Sequence, residues 1–583
     1  MKITCLIGNS LSFLIGGEAG QGITRSGHLL GKTIMNGGFH VFGTNDYPSV
    51  IRGGHNLYLL RVSDREVHSQ DDKIDLILAL NEETVFQHTH ELNEKGGVIY
   101  DTKLDPMMKV DRPDISLFPV PLSDFVEEIG GVPIMRNTVA IGAAIALVGY
   151  DLRYLKEVIA DAFTGREKII SDNQKAAEMG YKYVTENYGE SFPCGVEPSN
   201  ASQDRIMLTG NDAVALGAIQ AGCKFFSAYP MTPASPVLHY LINHDEEVGM
   251  VVIQPESEIS AINMTIGAAY TGVRAMTATS GGGFCLMTES LGLAAMTETP
   301  IVLLVGQRPG PSTGMATYSA QGDLLFTVYA SHGEFPRVVV APGDVDECFY
   351  LTNDAFNLAE KYQIPSIIIT DKYLIESHKS TEPFVETPIN RGDLFTGEIW
   401  TGVKYLRHEN TESGISPRIK PGTLGAFTLA NSNEHNEYGF TTIDPIIIEA
   451  TTQKIWRKSA NLAKEVETLE SIKMYGSDDA DVTIVCWGST KGPALEALEI
   501  LKDDGIKVRL VQVVYIEPFP VKSFMDIIKK GMNLLLVEGN KTAQLGAIIK
   551  QHTGVTFSHI YLRYDGRPFN PGDIARKVME VLE

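Results

Sequence analysis

The sequence predicts an α/β protein divided among several parallel-sheet domains, and three observations carry that expectation. Short apolar runs ("LSFLIGG", "IDLILALN", "GGVIYD", "PIVLLVGQ", "PSIIIT", "VTIVCWGS", "KVRLVQVVYI", "NLLLVEGN") alternate with longer segments of helical period, the pattern of strands joined through crossover helices. Glycine- and proline-rich turns sit where several of these runs end, as in "IGGEAGQG" and "TSGGGF". At 583 residues the chain exceeds what one hydrophobic core organises, so about three or four domains are expected. No fixed-period repeat stands out.

Hydrophobic residues make up 43% and charged residues 21%, the balance of a globular protein. The net charge of −23 disfavours a general nucleic-acid or anionic-membrane surface while leaving local phosphate pockets open. No apolar stretch reaches bilayer length. Cys5, Cys194, Cys223, Cys285, Cys348 and Cys486 form no CxxC pair. That spacing speaks against a zinc or iron–sulfur site held by this chain alone and against a secreted disulfide framework, so a cytoplasmic setting fits best.

In chain order, a first α/β domain is expected over 1–190. Its opening "MKITCLIGNSLSFLIGGEAGQG" has the look of a signal peptide, but the break at Gly8-Asn9-Ser10 and the glycine-rich exit make it a buried first strand. Gly16, Gly17, Gly20 and Gly22 then precede an amphipathic helix. Closely spaced glycines let backbone N–H groups and a helix start approach a phosphate, although neither G-x-G-x-x-G nor a Walker lysine is present; a plain tight turn is the other reading. "IRGGHN", with Arg52, Gly53, Gly54 and His55, reads equally as a second phosphate contact or a hairpin. Polar, turn-rich residues 191–205 form a linker.

The second domain, 206–378, holds most of the chemistry-bearing motifs. "FFSAYPMTPASPVLHYL" packs Pro230, Pro233 and Pro236 around Thr232. Each proline fixes its own φ and restricts its predecessor, so Thr232 sits on a stiff loop at the carboxyl end of a strand, where open α/β sheets place ligands. Ser235 is the expected N-cap of the following helix, with Pro236 at its first position. In "QPESEISAINMTIG", Glu256 and Glu258 occupy a first helical turn, where the macrodipole favours them; the apolar residues after Glu258 point to burial and a need for a partner. "GQRPGPSTGMAT" offers Arg308 with Ser312, Thr313 and Thr317 at a strand exit, a candidate carboxylate clamp or a polar surface loop. Residues 379–475 read as an irregular connector turning helical from about 445, and 476–583 as a compact closing α/β domain. "NEHNEYG" tempts a metal reading through His435, but no ligand spacing supports it.

Taken in order, "AYPMTPASP", "PESEISAINMTIGAAYTG", "TSGGGFCLM" and "GQRPGPSTGMAT" resemble the α subunit of 2-oxoacid:ferredoxin oxidoreductases, with Met231 where that family's Tyr-Pro-Ile-Thr-Pro motif has isoleucine. "GGEAGQG" and "IRGGHN" resemble the family's γ domain, fused here at the N-terminus; "NEHNEYGF", "YIEPFP", "VEGNKTAQLG" and "YDGRPFNPGDI" resemble its C-terminal part. The resemblance implies a γ-like domain that handles CoA, with Gly16, Gly17, Gly20 and Gly22 as its phosphate cradle, a thiamine pyrimidine-binding domain and a transketolase C-terminal-like domain. It implies thiamine diphosphate as cofactor, CoA as cosubstrate and ferredoxin as electron acceptor. Glu258 is then the glutamate on N1′ of the thiamine pyrimidine, Tyr229, Pro230 and Thr232 line the pyrimidine side, and Thr232, Arg308 and Thr317 contact the 2-oxoacid. The Gly-Asp-Gly motif for the diphosphate and Mg²⁺ is missing from this chain. The resemblance therefore implies a β subunit carrying that motif, the Mg²⁺ and a 4Fe–4S cluster, in an αβ or (αβ)2 assembly.

The fused γ-then-α order favours 2-oxoglutarate as substrate, with pyruvate, branched-chain 2-oxoacids and indolepyruvate as alternatives. Two readings of other classes are a nucleotide-binding scaffold, against which the lack of G-x-G-x-x-G speaks, and a non-redox thiamine enzyme, against which the lack of Gly-Asp-Gly speaks.

Overall fold

The computed structural model describes residues 2–4, 10–50, 53–104, 110–198, 204–402, 404–528 and 532–583. The chain forms two compact units, one of residues 1–208 and 376–383, the other of 209–375 and 384–583.

In the first unit, the opening expected to be a single buried first strand divides: Lys2–Thr4 pairs antiparallel with Gly195–Glu197, and β1 (Ser10–Glu18) is the buried strand. α1 (Ile23–Met35) follows, turning Ile23, Leu30 and Ile34 inward. Then come β2 (His40–Asp46), β3 (His55–Ser63), β4 (Ile74–Ala79), α2 (Glu82–His88), β5 (Leu92–Asp101) and β6 (Ser116–Val120). The sheet runs β6-β5-β4-β1-β3-β2 and continues through the strands His378–Thr381 and Ile206–Thr209. It is mixed rather than wholly parallel. β1, β4, β5 and β6 run parallel, whereas β3 lies antiparallel to both β1 and β2. The short connection between β2 and β3 admits a hairpin but no crossover helix. Gly53 and Gly54, both at positive φ, lie in that connection; Arg52 lies outside the described residues.

α3 (Arg136–Leu147) and α4 (Glu167–Asn187) cross closely, because a Cβ on Gly142 would strike Ala177 and one on Gly180 would strike Val139. The strand His378–Thr381 returns to this unit from far along the sequence, pairing antiparallel with β2 through His378↔Gly43 and Lys379↔Phe42. The segment expected to open the connector thus begins as part of the first unit. Among the described residues Cys194 is disulfide-bonded, while Cys223, Cys285, Cys348 and Cys486 are free. Spacing alone did not disclose that bond, since pairing is set by the fold.

The second unit opens with α5 (Gly210–Gln220), β7 (Cys223–Ser227), α6 (Ser235–Ile242), β8 (Val251–Ile253), α7 (Glu258–Tyr270), β9 (Arg274–Ser280), α8 (Gly281–Met296) and β10 (Ile301–Gln307). α9 (Leu324–Tyr329), β11 (Val338–Val340), α10 (Val345–Tyr362) and β12 (Pro365–Asp371) complete this layer. The connector carries α11 (Pro445–Val466), the helix expected from about residue 445. β13 (Ile472–Gly476), β14 (Val482–Trp487), β15 (Val508–Val513), β16 (Tyr515–Glu517), β17 (Leu534–Glu538) and β18 (His559–Leu562) follow.

The central sheet runs β8-β7-β9-β10-β12-β11-β16 and the smaller one β13-β15-β14-β17-β18. Both are parallel except at one edge, where β16 joins β11 and β13 joins β15 antiparallel. The run "KVRLVQVVYI", expected as one strand, divides at Val514 between the two sheets. Val514 instead bonds Ser471 through its N–H and Ala341 through its carbonyl. β9, β10 and β12 are buried along their whole length, as parallel strands covered on both faces must be.

Candidate active site

The carboxyl ends of β7, β9 and β10 gather the motifs of the second domain. The proline loop leaves β7 with Ala228 N–H donating to Ile253 O at 3.1 Å. Tyr229 is exposed, Pro230 and Thr232 are half-buried, and Pro233 is buried, with a cis Thr232–Pro233 bond. Asn211 Nδ2, from the first turn of α5, donates to Pro233 O at 3.1 Å. Gly306 in β10 lets the ring of Pro233 approach, since a Cβ there would lie 3.1 Å from Pro233 Cγ.

The loop is therefore fixed by neighbours as well as by its own prolines. Ala234, not Ser235, is the N-cap of α6, and it makes no side-chain cap bond. The Ala234 N–H to Met231 O turn, at 3.0 Å, already brings Ala234 into helical geometry, which leaves Ser235 inside the first turn.

Arg308 follows β10 directly. One of its N–H groups, on Nη1, donates to Thr232 O at 2.8 Å, so two motifs 76 residues apart in sequence meet at a hydrogen bond. Arg308 makes no other hydrogen bond to a described residue, and a guanidinium carries five donors. Thr317 is buried at 6% exposure, and its Oγ1 has no hydrogen-bond partner among the described residues. Ser312 and Thr313 lie at the exposed tip of the same loop. Its far leg is clamped by the closing domain: Ser319 N–H donates to Gly566 O at 3.1 Å and Gln321 N–H to Gly539 O at 2.7 Å.

The two glutamates of "PESE" part company. Glu256 is exposed and accepts the Ser260 hydroxyl at 2.6 Å, a bond that lowers its pKa. Glu258 is 4% exposed, and its carboxylate accepts no hydrogen bond from any described residue. It rests on the first turn of α8, where a Cβ on Gly283 would lie 2.8 Å from Glu258 Oε1. That helix start has no side-chain cap, and the Ser280 hydroxyl beside it is buried without a partner.

A second carboxylate, Asp323, takes the place a Cβ of Gly281 would need in the same turn. Burial raises its pKa to about 6, against the pull of Arg308. Burial likewise lowers the pKa of Arg308, with Asp323 opposing. The contacts run from Thr232 to Arg308, by charge to Asp323, and over the glycines of α8 to Glu258. Asp323 and Asn211 carried no sequence signal. Gly281 and Gly283 did, as a glycine-rich strand exit.

The N-terminal glycines divide into two pairs. Gly16 and Gly17 lie within β1, with their α-carbons covered by Thr84 and by Gln21 and Ile23. Gly20 and Gly22 have positive φ, nothing lies within 4 Å of a Cβ placed on Gly20, and Gly22 caps α1. Gly22, Arg25, Lys32 and Lys168 border a cavity of about 590 Å³ within this unit.

His435 is 2% exposed, stands against the His408 ring at 4.0 Å and contacts Asn433 O, while Glu437 Oε1 accepts Asn410 N–H at 2.8 Å. "NEHNEYG" thus braces the connector. Among the described residues no group of three or more His, Cys, Asp or Glu side chains is placed to hold a metal.

A buried, unpartnered carboxylate, a guanidinium with donors to spare and an orphaned hydroxyl fit a ligand that brings its own hydrogen-bonding ring and a carboxylate. Residues 216–452 match the family model described as "Pyruvate flavodoxin/ferredoxin oxidoreductase, thiamine diP-bdg". Residues 12–183 match "Pyruvate ferredoxin/flavodoxin oxidoreductase", and 474–559 match "Transketolase, C-terminal domain". The chain is 32% identical to 2-oxoacid:ferredoxin oxidoreductase 2, subunit alpha, of Aeropyrum pernix, over 98% of both chains. It is 34% identical to the subunit alpha of Sulfolobus sp, over 98% of this chain and 97% of that one. The solved 2-oxoglutarate:ferredoxin oxidoreductase of Magnetococcus marinus, with 2-oxoglutarate, coenzyme A and succinyl-CoA bound, superposes with a TM-score of 0.90 and 33% identity, over 99% of this chain and 100% of that one.

Proposed function

The chain belongs to the thiamine diphosphate-dependent 2-oxoacid:ferredoxin oxidoreductases as an α subunit, and from that premise we propose that it carries the pyrimidine half of the cofactor site and the 2-oxoacid carboxylate subsite. The reaction is oxidative decarboxylation of a 2-oxoacid to an acyl-CoA and CO2, with electrons passed to ferredoxin. 2-Oxoglutarate is the first substrate, supported by the likeness to the Magnetococcus enzyme along the whole chain. The observation that carries the reading is Glu258, the first residue of α7, buried and without a hydrogen-bond partner against the first turn of α8.

Bound thiamine diphosphate supplies the electron sink that lets a 2-oxoacid lose CO2. Glu258 would hydrogen-bond the pyrimidine ring at N1′ and so influence its protonation. Tyr229, Pro230 and Thr232 form the adjoining wall. Arg308 holds the substrate carboxylate through its remaining donors, and Thr317 Oγ1 gains the partner it lacks. The Thr232 carbonyl accepts Arg308, and the Thr232 hydroxyl, which can both donate and accept, serves the ligand.

The diphosphate, Mg²⁺ and 4Fe–4S cluster belong to a β subunit, since this chain holds neither a Gly-Asp-Gly motif nor a CxxC cysteine set. Its docking face includes the exposed apolar residues beside Glu258, namely Ile259 and Met264 on α7, Leu286 on α8, and Tyr229. The assembly is αβ or (αβ)2, in the cytoplasm; no helix among the described residues is long and apolar enough to cross a membrane. CoA is handled by the first unit, with Gly20, Gly22 and the cations around its cavity taking phosphate, while Gly16 and Gly17 shape the turn.

The test is CoA-dependent viologen reduction with 2-oxoacids. The chain co-expressed with its β subunit is active and the isolated chain is not. In the complex, Glu258→Ala lowers turnover by about 10²–10⁴-fold, and Arg308→Ala raises KM for the 2-oxoacid by about ten- to a hundredfold. Activity of the isolated chain, or unchanged turnover in Glu258→Ala, defeats the reading.

A further inference from the structure

We propose that Asp323 is a positioning residue coupled to protons: it takes up a proton when the carboxylate of a 2-oxoacid settles on Arg308. The inference rests on the carboxylate subsite proposed for Arg308. Asp323 and Arg308 are each the other's charged neighbour, yet no ion pair closes between them among the described residues, so the guanidinium remains available to a ligand. The carboxylate of Asp323 is held in place. Its backbone N–H donates to Gln307 Oε1 at 2.9 Å, Gln307 Nε2 donates to Thr370 O at 3.0 Å, and its side chain lies against Gly281. It accepts no hydrogen bond from a described side chain, so its charged form is favoured by Arg308 and by the uncapped start of α8 against which it lies.

The other elements around it leave that balance intact. α8 presents Cys285, whose thiol is pushed up by burial and then by Asp323 itself. α7 presents Glu258 at the neighbouring glycine. The helix Gln544–Thr553 presents the neutral Gln544, which bonds Leu325 N and Gly322 O. At the end of β12, Asp371 is spent on Ser319, Ser489 and Leu374 N.

A substrate carboxylate on Arg308 adds a negative charge that offsets the pull of the guanidinium, which raises the affinity of Asp323 for a proton. With its resting value at about 6, the coupling falls in the neutral range. Anionic substrate binds most tightly below that value; just above it binding draws a proton from solution and weakens as pH rises, and above the substrate-raised value affinity levels off beside an ionised Asp323.

The αβ complex is assayed with 2-oxoglutarate, whose carboxylates stay ionised throughout, from about pH 5.5 to about pH 8.5. KM rises about five- to tenfold across that range in the wild type, a coupling of up to one pK unit. Asp323→Asn loses the rise and keeps a low KM at the alkaline end, whereas Asp323→Glu restores a slope. The inhibition constant of oxamate, a carboxylate that is not decarboxylated, follows the same pattern. A slope that survives in Asp323→Asn, or a KM raised equally at every pH, overturns the inference.

Should Asp323→Asn not assemble, calorimetry of oxamate binding to the wild-type complex near pH 6.5, in two buffers of different ionisation enthalpy, decides. Proton uptake supports the proposal and none overturns it. Arg308→Ala separates this idea from its premise. If that variant leaves KM unmoved, the carboxylate subsite itself is wrong; if it raises KM while Asp323→Asn keeps the slope, only the role of Asp323 falls.

Discussion

Gly283 decides where the central carboxylate of the site can rest. A Cβ there would lie 2.8 Å from Glu258 Oε1, 2.9 Å from Glu258 Cγ, and closer still to the Thr279 hydroxyl. Gly283→Ala therefore displaces Glu258 while leaving its chemistry intact. Because alanine is a better helix former than glycine, the cost falls on the site more than on α8. Turnover of the αβ complex should fall by about a hundredfold or more with the helical circular dichroism unchanged; undiminished turnover would mean that the resting position of Glu258 does not matter. The glycine run was visible in the sequence, but its purpose was not, because the carboxylate it admits comes from another helix. The same limit governs Glu256 and Glu258. Both read as first-turn carboxylates, with the apolar residues after Glu258 pointing to its burial; the structure keeps Glu258 buried over Gly283 but starts α7 after the Ser257 N-cap, so Glu256 lies before the helix as the exposed partner of Ser260.

At the scale of elements, α11 shows how a connector with little regular structure is pinned. Lys454 and Lys458 donate to the two carboxylate oxygens of Glu298 at 2.7 and 2.8 Å, and His408 Nδ1 lies 3.1 Å from the same carboxylate. Arg407 donates to the Glu298 backbone carbonyl at 2.7 Å. Glu298, both lysines and His408 are at most 3% exposed.

Burial acts to raise the pKa of Glu298, but Lys454 and Lys458 outweigh it and hold the carboxyl well below its usual range. Lys454 is lowered to about 8, chiefly by burial. Glu298→Gln strips the cations of their counter-charge, and breaking a buried pair in this way costs about 3–5 kcal/mol. Urea unfolding followed by the fluorescence of Trp456, on α11, measures the loss. The signs with pH are opposite for the two groups. A depressed carboxyl contributes stability that is present above about 4.5 and lost as pH falls through its folded value, and this acid limb should flatten in Glu298→Gln. A lysine lowered to about 8 makes the fold more stable as pH rises from there towards 10.5. None of this was legible in the sequence, where Lys454 and Lys458 look like the polar face of an amphipathic helix. The position of α11, by contrast, was legible, because helical period and an Asp-Pro start are local signals.

At the scale of the whole chain, the sequence of strands and helices was readable wherever a segment's partners are its neighbours, and failed where they come from far away. The run "KVRLVQVVYI" looked like one strand because its apolar content is continuous. Only the surroundings of Val514 divide it between two sheets. The strand His378–Thr381 straddles the boundary expected between the second domain (206–378) and the connector (379–475) for the same reason, as nothing local says that it pairs with β2, more than 330 residues earlier, where Val41 N–H donates to Ser380 Oγ at 2.9 Å. That return makes the first unit discontinuous and gives a test. A fragment of residues 1–208 leaves β2 without its neighbour, an unpaired edge of the kind that recruits other chains. The fragment should associate in a concentration-dependent way, whereas the same fragment followed by a short Gly/Ser linker and residues 376–383 should stay monomeric and melt at higher temperature. Sedimentation of the two side by side checks this. A monomeric, equally stable short fragment would show that β2 needs no cover from the distant strand.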